Sequence, residues 1–293
     1  MTQTDAVAER LLRSSAKQSY DPEVDVDWAA PPVPGLWFMQ PERMSLFGTP
    51  TWDRLTEEQR IELSKHEVAS ISSVGIWFEV LLMQMMLRDL YAADHTASRT
   101  HYALTEVGDE TRHSVMFGKA IAATGVPAYG PPPQILRLGR LFPLVSRGVS
   151  AYASILVAEE ILDRWQRELI KDERVQPLTR MVSRIHVLEE ARHMTFARDE
   201  VERMLPLLNR VERLWHQQLV ARISLCVARA LVNPEVYRAV GLDPRAARRE
   251  ALGNPHYQET LAWMGEKVTA FLAEQGLMPG HTRAVWKRSM LVR

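Results

Sequence analysis

Ile185-His186-Val187-Leu188-Glu189-Glu190-Ala191-Arg192-His193 is the stretch whose reading decides the fold. His186, Glu190 and His193 fall at i, i+4 and i+7. On a helix turning about 100° per residue they stand at roughly 0°, 40° and −20°, on one face. That grouping resembles the spacing of metal ligands more than a solvated face. The competing reading is two histidines hydrogen-bonded to a buried acid. A second Glu-x-x-His, Glu110-Thr111-Arg112-His113, lies upstream. A single Glu-x-x-His is weak evidence, since a chain of this composition supplies about one by chance.

Two further acids sit where apolar residues belong. Glu79 lies inside Gly75-Ile76-Trp77-Phe78-Glu79-Val80-Leu81-Leu82-Met83, with only small or apolar helical neighbours. An unpaired buried carboxylate costs several kcal/mol, so such a residue is paired, protonated or metal-bound. Glu159 and Glu160 follow Ile155-Leu156-Val157-Ala158. Glu160 has Arg164 four positions on, the spacing of a surface ion pair. Glu159 points more nearly inward and is the ligand candidate. In chain order the set reads Glu79, Glu110 with His113, Glu159, then Glu190 with His193. This is the order of a dinuclear carboxylate four-helix bundle, in which two helices give one Glu each and two give Glu-x-x-His. Each lone Glu precedes its Glu-x-x-His partner by 31 residues, which suits two helical hairpins. Four carboxylates balance two divalent ions, and oxygen plus imidazole donors suit iron or manganese.

The remaining sequence agrees with an all-α reading. Helices are predicted at about 57–68, 70–93, 98–124, 134–147, 150–173, 177–204 and 207–231, with a further pair near 244–252 and 256–275. A short helical pattern covers Ala6 to Leu12. Thr56-Glu57-Glu58-Gln59 has the spacing of a capping box, and Gly-Pro and Asn-Pro pairs mark the breaks. No strand pattern and no repeat of fixed period is evident. Residues 1–54 are predicted to form a proline-rich arm packed on the core, because exposed Trp28 and Trp37 would be costly. Residues 55–293 are predicted to be one helical domain, with the ligand-bearing core at about 55–230. Lysine plus arginine and aspartate plus glutamate each total 36 in 293 residues, so bulk charge gives no support for nucleic-acid binding. No apolar run is long enough for an uninterrupted membrane span, and the start lacks the segments of a secretory signal. With Cys226 the single cysteine, the expectation is a cytoplasmic protein without disulfides. An apolar C-terminal half suits a homodimer.

The set Glu79, Glu110, His113, Glu159, His186, Glu190 and His193 resembles the p-aminobenzoate N-oxygenase (AurF-like) family of non-haem di-iron oxygenases, in the ferritin-like superfamily. The extra histidine one turn before the last Glu-x-x-His, here His186, carries the likeness, together with Gly108-Asp109-Glu110-Thr111-Arg112-His113-Ser114 and Ala158-Glu159-Glu160. The resemblance covers about residues 55–230. It implies two iron ions, with manganese or a mixed pair as alternatives, O2 as co-substrate and an external electron donor, since no dinucleotide fingerprint is present. It implies oxygen transfer to an amine nitrogen of a small substrate, giving hydroxylamine, nitroso or nitro products. Glu79, Glu110 and His113 would mostly hold one iron, and Glu159, His186, Glu190 and His193 the other. Asp109, Arg112 and Asp163 would support these ligands, whereas Arg192 reads as an ordinary surface ion pair. Hydroxylation or desaturation of a lipid or carrier-bound substrate is the nearest alternative, and a non-catalytic metal-binding protein the next. Trp77, Phe78, Met83, Met85, Met86 and Phe117 make the neighbourhood apolar, which would suit a flat or lipidic substrate, although such stripes are usually core.

Overall fold

The structure, a computed structural model, describes residues 3–293 and is all-α, with no strand among the described residues. Three α-helices lead in: α1 (Gln3–Lys17), α2 (Pro22–Asp25) and α3 (Pro50–Arg54), with a 3-10 turn at Pro41–Arg43 between the last two. Then Thr56 starts the longest helix, α4 (Glu57–Leu90). Its hydroxyl accepts from the Gln59 amide while the Gln59 side chain accepts from the Thr56 amide. Two helices were predicted here, with a pause at residue 69. The chain runs through because no proline removes a donor before Leu90, and the one glycine, Gly75, faces Phe117 and Leu162 closely.

α5 (Ser98–Thr124) ends on Gly125, whose φ of 72° only glycine adopts without strain. The single helix predicted at 134–147 is two, α6 (Pro133–Gly139) and α7 (Phe142–Val145). The Pro143 ring cannot follow the Gly139 carbonyl in a continuous helix, so the chain breaks between them. The Trp77 ring fills the space where a side chain at position 139 would stand. α8 (Val149–Leu169) is buried along nearly its whole length, and α9 (Pro177–Met204) returns beside it. α10 (Arg210–Ala230), α11 (Pro244–Gly253), α12 (Pro255–Glu274) and α13 (Arg283–Ser289) complete the chain. α13 has too short an apolar pattern to be read from sequence, and it is anchored by the buried Trp286.

α4 pairs with α5 and α8 with α9 as two antiparallel hairpins, and α5 meets α9 where they dock. α1 covers α5 and α9, while α10 and α12 cover α8. α4 is long and apolar enough to cross a membrane by composition, but 61% of that stretch is buried against other helices. The proline-rich segment lies over the bundle. Trp37 donates its amide to the Arg174 carbonyl and accepts from the Gln176 amide, at 2.9 and 2.8 Å. The Gln176 side chain accepts from Val33 N–H and donates to the Val33 and Leu36 carbonyls. Met39, Met44 and Leu46 are sunk into the core.

Candidate metal centre

At mid-height of the two docked hairpins, seven ligand-type side chains meet in a region closed to solvent. Glu79 comes from α4, Glu110 and His113 from α5, Glu159 from α8, and His186, Glu190 and His193 from α9. All are at most 3% exposed. Glu190 Oε1 is the hub, 3.0 Å from His193 Nδ1, 3.2 Å from His113 Nδ1 and 3.6 Å from His186 Nε2. Glu110 reaches the same two Nδ1 atoms, at 3.4 Å from His113 and 3.1 Å from His193. His186 Nε2 also faces Glu159 at 3.8 Å and Glu79 at 3.9 Å.

Their donor atoms form three sets, each within 4.8 Å: Glu110, His113, Glu190 and His193; Glu79, His113 and His186; Glu159, His186 and Glu190. Several of these atoms lack a hydrogen bond despite full burial. Both Glu110 oxygens, Glu79 Oε1, Glu190 Oε2 and His113 Nδ1 have none, the short Glu110 approaches being poorly aligned. Buried polar atoms without a hydrogen-bond partner are rare in native interiors, and here they converge. Carboxylate and imidazole donors converging in this way fit a pair of divalent cations.

The protein atoms by themselves balance the charge with protons. Burial and the neighbouring Glu110 charge push Glu79 up to about 8. Burial and the charges of Glu190, Glu110 and Glu79 push Glu159 well above the usual range. Burial also opposes ionisation of Glu110 and Glu190, yet the close imidazoles of His113 and His193 hold both below it. His113 and His193 are correspondingly raised against the effect of burial. Burial holds His186 down at about 4, as a neutral imidazole.

The remote nitrogens of the three imidazoles are held by partners of different kinds. His113 Nε2–H donates to Glu189 at 2.9 Å, and His193 Nε2–H donates to Asp109 at 3.1 Å. The acid beside each Glu-x-x-His thus orients the histidine of the other helix, with both Nδ1 atoms turned toward the cluster. Gln166 Oε1 accepts from His186 Nδ1–H at 2.7 Å, which aims Nε2 inward. Ser114 donates to Glu79 at 2.5 Å.

Arg192 was read as a surface pair, but it is only 6% exposed. It spans Asp109 and Glu189 at 3.4 and 3.5 Å and donates to the Gln18 carbonyl beyond α1. Arg112 pairs with Asp109. Asp163 instead accepts from Arg167 at 2.8 Å. Glu160 pairs with Arg198 across to α9, not with Arg164, which donates to the Trp263 carbonyl.

Sequence reasoning passed over Glu189, Gln166 and Glu106. Glu106 is fully buried one turn before Glu110, and neither of its oxygens has a hydrogen bond. A signal for two of them exists. Each α8–α9 position below is its α4–α5 counterpart plus 80: Glu79 and Glu159, Glu106 and His186, Asp109 and Glu189, Glu110 and Glu190, Arg112 and Arg192, His113 and His193. Outside the site few residues match at this offset (among them Ser70 and Ser150, Leu82 and Leu162, Val107 and Val187), which is why no fixed period is evident from the sequence as a whole.

The comparisons with known proteins agree with this geometry. The chain is 27% identical over 289 residues to an uncharacterized protein of Mycobacterium tuberculosis, covering 94% of this chain and 84% of the relative. An uncharacterized protein of Mycobacterium bovis matches to the same extent. The family model described as p-aminobenzoate N-oxygenase AurF matches residues 1–276. With that match spanning nearly the whole chain, the protein belongs to the AurF family of oxygenases.

Proposed function

We propose that the protein is an O2-dependent di-iron oxygenase that transfers one oxygen atom to the nitrogen of a small aromatic amine. The observation that carries the reading is the closed cluster of four carboxylates and three imidazoles with converging, unpartnered donor atoms, in a chain of the AurF family. Glu79, Glu110 and His113 would hold one ion, and Glu159, His186, Glu190 and His193 the other. Glu110 and Glu190 each reach both Nδ1 atoms, so either could serve both ions. When bound, the two irons would relay electrons to O2 and supply Lewis acidity for its reduction.

The protein's own part is orientation and exclusion. Asp109, Glu189 and Gln166 fix which nitrogen of each imidazole faces inward, and such partners change metal affinity or activity 10- to 100-fold when removed. Closure of the site keeps water from the reaction. The balanced reaction consumes the amine, O2, two electrons and two protons, and yields the hydroxylamine and water. The electrons come from an external donor.

The test begins with anaerobic ferrous loading, desalting and elemental analysis, where about two irons per chain are expected. Incubation with O2, a reductant and an aromatic amine should then give products carrying oxygen on nitrogen, read by mass spectrometry. Products oxygenated on carbon would reassign the reaction to hydroxylation. Full iron with unchanged amine would leave a metal-binding protein, and no retained metal would remove the reading altogether.

A further inference from the structure

Beside His186 the bundle opens into a cleft of about 160 Å³. All four site helices contribute walls: Val68 from α4, Phe117 from α5, Trp165 and Gln166 from α8, and Val182 from α9. Pro31 and its neighbours in the arm form the roof. The cleft abuts the candidate metal centre. The Phe117 ring lies 4.9 Å from the His186 ring, and Gln166 is the residue that holds His186 Nδ1. Of the six apolar residues expected around a substrate, Phe117 alone lines it. Phe78 and Met85 border a void of about 10 Å³ next to Glu159, room for one water at most.

The chemistry of the cleft wall is one-sided. Among the described residues, no Asp, Glu, Lys, Arg or His lines it. Its polar groups are neutral, and Gln176 is already engaged by the arm. Among the described residues Gln166 Nε2 has no acceptor, although Gln166 is 3% exposed, so a neutral amide donor remains at the inner end. A dry cavity of about 150 Å³ suffices for one benzene ring. An ionised carboxylate taken from water into such a site without a cation or donor set to receive it is strongly disfavoured.

We infer that this cleft is the substrate site and that it takes a single-ring aromatic amine bearing no ionised group, so that an aminobenzoate anion is discriminated against. The inference rests on the oxygenase reading for the word substrate. The binding preference itself stands on the cleft.

The pair that tests it is 4-aminobenzoate against its methyl ester, two molecules that share ring and amine and differ in charge. Binding is followed on the intact protein by quenching of tryptophan fluorescence and by equilibrium dialysis. The ester should bind at least tenfold more tightly. Val182→Tyr, which fills the cleft, should remove ester binding while leaving iron stoichiometry unchanged. Ala69→Leu does the same more mildly if the tyrosine variant misfolds. Equal or tighter binding of the anion would overturn the inference, as would failure of both compounds to bind, or ester binding that survives in both filled variants. Ester binding with the expected preference but no oxidation by the iron-loaded enzyme would keep the cleft assignment and sink the oxygenase reading instead.

Discussion

The two hairpins carry the same lone Glu, Glu-x-x-His and intervening Arg at the centre and opposite solutions around them. On the α9 side, Val182 and Ser183 are small, and a cleft opens beside His186. Their counterparts 80 residues earlier are Tyr102 and Ala103. There Tyr102 packs on Phe196 at 4.7 Å, Tyr152 packs on Phe196 at 6.0 Å, and Arg99 bonds Glu200, so the equivalent volume is filled. The same contrast runs through the ligands. His186 is held by Gln166, whereas its counterpart Glu106 has no partner, and the counterpart of Gln166 is Met86, which has no amide to offer. Burial and the charges of Glu110, Glu190 and Asp109 keep Glu106 well above the usual carboxylate range. One hairpin is therefore built for access and an extra neutral donor, and the other for closure. A near-symmetric frame becomes a directional site through side chains at two or three positions.

Four predictions break or sharpen this contrast. Where the halves agree the effect should be total: Glu110→Ala and Glu190→Ala should each abolish retention of two metals per chain by elemental analysis. Where the closed half is packed, Tyr102→Ala should cost about 3–5 kcal/mol in urea unfolding. Tyr102→Phe should be neutral or slightly stabilising, because the buried Tyr102 hydroxyl has no partner.

The third concerns Glu67 of α4, whose counterpart is the exposed Arg147. Glu67 receives the Ser45 amide at 3.1 Å and meets the Ser45 hydroxyl at 2.5 Å, and burial pushes it up to about 7. Its folded value lies above the unfolded one of 4.5, so the fold favours the neutral acid and stability falls as pH rises from 4.5 through 7. Glu67→Gln mimics the neutral acid and should flatten that fall. At pH 9 it should be more stable than the parent by up to about 3 kcal/mol in thermal or urea unfolding.

The smallest effect is the sharpest comparison. Gln166→Leu should weaken metal binding about 10-fold or more through His186, while Glu106→Gln should leave it unchanged within error, read by competition with a chelator. Equal losses would mean that the halves are not different in kind.

Much of this was legible in the residues themselves. Acids inside apolar helical runs and His186, Glu190 and His193 on one face gave the helices, their order and the level at which they meet. Helix ends marked by Thr56 with Gln59 and by Gly125 were equally plain. What the sequence hid depends on register between helices. That Glu189 reaches His113 and Asp109 reaches His193 follows from how α5 docks on α9, and no local spacing encodes it. The buried Arg192 looked like a surface charge for the same reason. The cleft was hidden because it is made of what is missing, small residues at scattered positions. Helix continuity through residue 69 and the break before Pro143 turned on single positions.

The crossing of acids and histidines bears on how the protein assembles. Each hairpin has its own turn contacts and can take shape locally. Neither Glu-x-x-His histidine is oriented, however, until the acid of the opposite helix arrives. Metal competence is thus a property of the docked pair, and it is lost when the hairpins part.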